Sequence, residues 1–450
     1  MQYKYHILNQ LNRYSGRDKL RFHMPGHKGV FSFSRLFGGA KRDITELSFS
    51  DDLQNPTGCI KSAQDDIAQI VGAKRAYITT DGSTSGVMAC VYAAAHFGSK
   101  LIVPRNSHKS VFNACRLMGV EPVIVQGEEL AGVILPPSVD TIEKLVAGDD
   151  TIAGMIISSP DYYGNIAPLD DYAALLKPLG RHLFVDGAHG AHLAAGKGRA
   201  GYCGEYADMW VDGAHKTLPA LTQGAYVCVN DEELIPIAEE ALSIFRTTSP
   251  SYPIMASVEY GAKYYINRPE IYERGRTAVL KLKEEERTFT FYPSADWTKL
   301  CVDFKPLGVS TDLVQQKLEK AGIYAEMNDG RYLLFYLSPS VTEGQLKRLF
   351  SALRRIVSSK KLAGTFKDIP RIIPSAARTY SFLYALGAPC EWVELKSAAG
   401  KMCAENVGVT PPCLPVVVAG EIISERAVQV LKSSRNTFGI VNGKIKVVKR

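Results

Sequence analysis

The sequence predicts an α/β protein built on a mostly parallel sheet, followed by a smaller α+β unit and a further C-terminal region. Two observations predict it. Strand-like and helix-like segments alternate from about residue 65 to 230, and the strand-like segments are almost wholly apolar, as strands buried on both faces must be. Helices are expected over Asp65–Val71, Ser83–Ala95, Lys109–Met118, Thr141–Val146 and Leu169–Leu179. Strands are expected over Arg75–Thr79, Leu101–Val103, Val120–Val125, Gly154–Ser158, His182–Val185, Met209–Val211 and Gly224–Val229. A long helical stretch over Ser257–Glu284 leads out of this region. Phe289–Phe291, Thr298–Phe304, Thr311–Ala321, Tyr332–Tyr336 and Thr342–Val357 then alternate on a smaller scale. The Pro-containing stretch Ile369–Pro374 opens the last region, which runs through Pro411-Pro412. The expected division is an N-terminal arm (1–30), a large domain (31–265), a small α+β domain (266–368) and a C-terminal domain (369–450).

A chain of 450 residues is too long for one small core, and its apolar fraction of 46% and charged fraction of 22% are ordinary for a soluble globular protein. No apolar run reaches transmembrane length, and the polar start Met1–His6 lacks a signal-peptide core, so a cytoplasmic protein with no membrane partner is expected. The nine Cys include no C-x-x-C pair, which argues against a disulfide framework and against a zinc site. The net charge of +7 comes from dispersed Lys and Arg, with the densest group in the tail Lys444–Arg450, so no nucleic-acid partner is expected.

The most informative phrase is Val211–Gly224, which sets Lys216 directly after His215 in a loop of small residues between two apolar strands. Desolvation lowers an amine's pKa and makes it nucleophilic, as Schiff-base chemistry requires. A near-copy, Val185-Asp186-Gly187-Ala188-His189, ends an earlier apolar run. An Asp after one strand and a Lys after a later one is how enzymes dependent on pyridoxal 5'-phosphate (PLP) hold that cofactor, the Asp on the ring nitrogen and the Lys on the aldehyde carbon. Gly82-Ser83-Thr84-Ser85 opens a helix after a strand, which suits either plain capping or an anion at the free amides. His108 stands in a comparable loop after the strand ending at Val103, where it could cover a flat ring or serve only structure. The His23–Gly29 turn lacks the register of a zinc pair, and no metal is expected. Asp51, Asp52 and Glu46 form an acidic group that suits solvent better than a cationic substrate.

Together these phrases resemble one family. His23–Gly29, Asp51-Asp52-Leu53, Gly82-Ser83-Thr84, Arg105–Ser110, Ser159-Pro160 with Tyr162-Tyr163-Gly164, Asp186 with Ala188–His192, His215–Gln223 and Ser249–Tyr252 match, in order and spacing, the group III ornithine/lysine/arginine decarboxylases of PLP fold type I, the aspartate-aminotransferase fold. The resemblance spans nearly the whole chain and is similar to the short form that lacks an N-terminal wing domain. It implies decarboxylation of a basic amino acid (arginine, lysine or ornithine) in polyamine synthesis by a homodimer with shared active sites. It also implies roles. Lys216 would hold PLP, Asp186 would pair with the ring nitrogen, His108 would stack on the ring, and His189 would lie near the ring oxygen. Ser83, Thr84 and His215 would bind the phosphate, and Ser251 would reach the phosphate of the neighbouring subunit.

Four positions depart from the family pattern. Gly213 stands where Ser is usual, Gly187 where Glu is usual, Asp161 where Thr is usual and Cys413 where Gly is usual. Asp161 adds a negative charge that could meet the distal cation of a substrate. The alternatives are another PLP reaction on the same fold, such as an aminotransferase or lyase, and a catalytically impaired PLP-binding paralogue.

Overall fold

Runs of β-branched and aliphatic residues form strands when both of their faces can be covered, and the covering helices supply that burial. The computed structural model describes residues 2–15, 20–367, 379–410, 413–434 and 436–449. The expected boundary stretch Ile369–Pro374 and Pro411-Pro412 lie outside the described residues. The chain divides into two compact units, Met1–Ala93 with His182–Glu273 and Ala94–Arg181 with Arg274–Arg450.

In the first unit the strands run in the order Arg75–Thr79, Ala225–Val229, Met209–Asp212, His182–Gly187. Ala225–Val229 is antiparallel to both of its neighbours. His182–Gly187 is parallel to Met209–Asp212, with Asp186 opposite Val211 and Gly187 opposite Asp212. The helix Cys59–Val71 is amphipathic, and the Asp51 carboxylate caps its start by accepting the N–H groups of Gly58 at 2.8 Å and Ile60 at 2.9 Å. Asp51 therefore serves the helix terminus.

The expected single helix over Ser257–Glu284 is two helices, Tyr252–Asn267 and Pro269–Glu285. Pro269 removes an N–H and drives the preceding Arg268 out of the helical region (φ −139°, ψ 60°), which ends the first helix. The first thirty residues contain a helix over Ile7–Ser15. The fully buried Glu259 caps it by accepting from the N–H groups of Ile7 (2.9 Å) and Leu8 (3.2 Å), and Lys263 neutralises that carboxylate at 2.9 Å.

In the second unit the strand Lys100–Pro104 is flanked by Glu121–Val125 and Ile152–Ser158, parallel to both. A four-stranded antiparallel sheet, centred on Lys299–Asp303 and Tyr332–Tyr336, packs with the helices Thr311–Lys320 and Glu343–Val357 around Leu300, Val302, Leu333 and Leu353. The C-terminal region adds two three-stranded sheets and the helix Glu425–Ser433 over a core that includes Val407, Val417, Leu431 and Ile445. Among the described residues no helix is long and apolar enough to cross a membrane, and no group of side chains has the makeup of a metal site.

Candidate active site

Lys216 lies in a single helical turn, Ala214–Thr217, immediately after the strand Met209–Asp212. The turn is laced to its surroundings by backbone bonds. His215 donates its N–H to the Gly224 carbonyl at 3.1 Å, and Gln223 accepts from Gly82 N–H at 2.9 Å, which ties the loop to the start of the helix Gly82–Ala94. The half-buried Lys216 Nζ stands 3.0 Å from His189 Nε2. An ammonium donating to an imidazole nitrogen is a pair between which a proton can pass, so the amine has a local acceptor. Asp186 is the penultimate residue of its strand and is 6% exposed, with its carboxylate accepting Ala188 N–H at 3.2 Å. Lys216, His189 and Asp186 thus share the carboxyl ends of two adjacent parallel strands, where ligands of open α/β sheets bind.

Beside them is an anion cradle. The first-turn amides of the helix Gly82–Ala94 have no acceptors within the helix. Ser83 Oγ is buried without a hydrogen-bond partner among the described residues, and so is Thr217 Oγ1, one residue after Lys216. The orphaned Ser83 hydroxyl at a helix N-terminus fits the phosphate of PLP, which would satisfy it. Thr84 is on the same turn but exposed. Ser251 caps its own helix, Tyr252–Asn267, by accepting Ile254 N–H at 3.5 Å. His215 Nδ1 donates to the Gly224 carbonyl at 3.0 Å, and burial pulls its pKa below the ordinary histidine value. With Nδ1 committed, only Nε2 is left for an anion, and it can donate only when the ring carries its second proton.

Both glycine departures are filled by neighbours. A Cβ at Gly213 would lie 2.5 Å from the Ala188 carbonyl oxygen and 2.9 Å from Ser83 Oγ. A Cβ at Gly187 would lie 2.9 Å from Asp212 Oδ1 and 3.0 Å from the Val211 carbonyl oxygen. Asp212 is fully buried, and its Oδ2 accepts from Tyr202 Oη at 2.6 Å and from Trp210 Nε1 at 3.1 Å. Burial pushes its pKa up to about 7, against the pull of its hydrogen-bond donors. Asp212 and Thr217 were not legible as site residues: each adjoins a singled-out residue, but no spacing rule separates them from ordinary strand and turn positions.

The second unit holds His108 and Asp161. His108 caps the helix Lys109–Met118, with Nδ1 taken by Ser110 N–H at 3.2 Å and paired with Ser110 Oγ at 2.8 Å. Asp161 is buried in the turn after the strand Ile152–Ser158. Its Oδ1 accepts the N–H groups of Tyr163 (2.8 Å) and Asn165 (3.0 Å), and its Oδ2 accepts Asn165 Nδ2 at 2.8 Å. Asn165 Oδ1 in turn accepts from Tyr292 Oη at 2.8 Å. Burial raises Asp161 to about pKa 6 despite these donors. Its charge is spent inside its own turn, which removes the basis for expecting it to meet a substrate cation.

Residues 6–288 match the family model of the Orn/Lys/Arg decarboxylase major domain. An arginine decarboxylase of Bacillus anthracis is 27% identical, over 96% of this chain and 93% of that protein. The Bacillus subtilis protein YaaO, described as uncharacterized, is 29% identical over 98% of this chain and 96% of its own. Among solved structures, the Francisella novicida lysine decarboxylase LdcF superposes with a TM-score of 0.80 at 20% identity, covering 99% of this chain and 81% of that one.

Proposed function

The chain belongs to the Orn/Lys/Arg decarboxylase family and is a PLP-dependent amino-acid decarboxylase of the type I fold, and from that premise we propose which residues do the work and on what. The observation that carries the assignment is the contact between Lys216 Nζ and His189 Nε2 beside the buried Asp186, next to a cradle whose Ser83 hydroxyl has no partner among the described residues. Lys216 would hold the cofactor through Nζ, and His189 Nε2 would take up or return a proton at that nitrogen. Asp186, oriented by the Ala188 N–H, would pair with the ring nitrogen and favour its protonated form. Ser83 Oγ, Thr84 and the helix amides would hold the phosphate, and His215 would join them from Nε2 when its ring carries a second proton, a form that a neighbouring anion favours. By the family pattern His108 would cover the ring face. When bound, PLP supplies the electron sink for the electron pair left on the α-carbon as carbon dioxide departs.

The proposed substrate is a basic amino acid: arginine, lysine or ornithine. Near full-length likeness to arginine decarboxylases supports arginine as the first to assay. The same family pattern supports a homodimeric cytoplasmic enzyme serving polyamine synthesis, with Ser251 reaching the neighbouring subunit's phosphate.

The test pairs a spectrum with a product assay. The protein loaded with PLP is expected to show the visible band of lysine-bound cofactor, absent in Lys216→Ala, and to release carbon dioxide and an amine from one of the three amino acids. A band that persists in Lys216→Ala would overturn the lysine assignment. A keto acid in place of carbon dioxide would make the protein an aminotransferase. A band without turnover of any of the three would make it a PLP-binding paralogue.

A further inference from the structure

Arg105 directly follows the strand Lys100–Pro104, three residues before His108. Arg105 is buried, its side chain 3% exposed, and so is that of its partner Glu421 in the C-terminal region, 316 residues away in sequence. The guanidinium grips the carboxylate as a fork, with Nη1 donating to Oε2 at 3.1 Å and Nη2 to Oε1. Glu421 Oε2 also accepts Val418 N–H at 2.8 Å, and Arg105 N–H donates to the Val125 carbonyl at 2.7 Å. At the other end of the loop, Lys109 N–H donates to the Cys413 carbonyl at 3.0 Å, and Lys109 Nζ lies 5.4 Å from the centre of the Phe438 ring. The segment carrying His108 is therefore pinned at both ends by residues of the C-terminal region. Burial lowers the Arg105 pKa to about 10, yet its partner carboxylate keeps both charges compensated.

An apolar pair of equal volume would join two buried elements at least as firmly as this ion pair, because two charges must be stripped of water to form it. What the fork adds is a fixed direction. We propose that Glu421 is a positioning residue for His108: through Arg105 it sets the start of the Arg105–His108 loop, while the Cys413 carbonyl sets its end. The C-terminal region thereby governs where the imidazole stands. The proposal rests on the reading of His108 as the residue that covers the cofactor ring.

The test uses full-length protein loaded with PLP, read by the visible circular dichroism of the cofactor, its dissociation rate and the thermal midpoint. Glu421→Gln is expected to change the dichroic band and to raise the dissociation rate about tenfold. In a His108→Ala background the same substitution is expected to change that rate less than twofold, because the two act through one imidazole. The apolar replacement Arg105→Met with Glu421→Leu is expected to restore the thermal midpoint but not the dichroic band. Equal effects of Glu421→Gln in both backgrounds would overturn the proposal. So would recovery of band, retention and midpoint together in the apolar pair. If His108→Ala alone leaves band and retention unchanged, the reading of His108 fails, and the positioning role falls with it, while the Lys216 and Asp186 assignments stand on their own test.

Discussion

The loop that carries Lys216 and the turn that follows Ser158 depart from the family pattern in opposite directions. Around Lys216 the family resemblance leads one to expect Ser and Glu where the chain has Gly213 and Gly187. In the turn after Ser158 the resemblance leads one to expect Thr where the chain has the charged Asp161. Neither change leaves what a linear reading suggests. The room beside Gly213 belongs to the Ala188 carbonyl and Ser83, and the room beside Gly187 to Asp212, so no vacancy remains for a lost hydroxyl or carboxylate. The added carboxylate of Asp161 has donors at both oxygens, all from its own turn. The space beside each glycine is taken up by packing, and the buried Asp161 carboxylate is held by hydrogen bonds, because voids and unpaired buried charges are costly.

That contrast can be broken experimentally. The largest effect is expected from Gly213→Ser, which restores the residue the family resemblance expects but sets its Cβ 2.5 Å from the Ala188 carbonyl oxygen. A loss of about 3 kcal/mol in denaturant unfolding is expected, with no gain in PLP affinity; tighter PLP binding at unchanged stability would show that the backbone of Ala188 adapts. Asp161→Thr deprives the N–H groups of Tyr163 and Asn165 of their acceptor, at a cost of about 2 kcal/mol. Relative rates on arginine, lysine and ornithine are expected to stay as they are, and a changed preference would return Asp161 to the substrate.

Asp212→Asn sharpens the comparison through pH. The folded-state pKa of Asp212, raised to about 7, means that its contribution to stability is fully present below the ordinary carboxylate pKa and is lost as pH rises through about 7. Thermal melts are expected to show the Asn variant gaining on the parent by a few degrees between pH 5 and pH 8. A constant difference across that range would mean that Asp212 titrates normally. The smallest effect is expected at Cys413, whose φ of +64° lies in the left-handed region that glycine adopts freely. Cys413→Gly is expected to stabilise by about 1 kcal/mol, measured by urea unfolding.

Much of the fold was legible because its signals are local. Apolar runs such as His182–Val185 and Met209–Val211 declare strands wherever they lie, and the observed strands extend them by a residue or two. The helix break was legible too, in principle, since Pro269 stands inside the stretch read as continuous. The antiparallel placement of Ala225–Val229 was not, because strand direction depends on the path of the connecting chain.

For the candidate site, sequence alone singled out the residues. A Lys after a His between apolar strands, an Asp at the end of an earlier one and hydroxyls at a helix start are short-range patterns, and their chemistry follows from residue type. Tertiary structure decided occupancy and partnership. It placed His189 against Lys216, filled the space beside Gly213 and Gly187, turned Asp161 inward and brought Glu421 to Arg105 across 316 residues. Those outcomes depend on volume and desolvation, which exist only once distant segments of the chain have packed together.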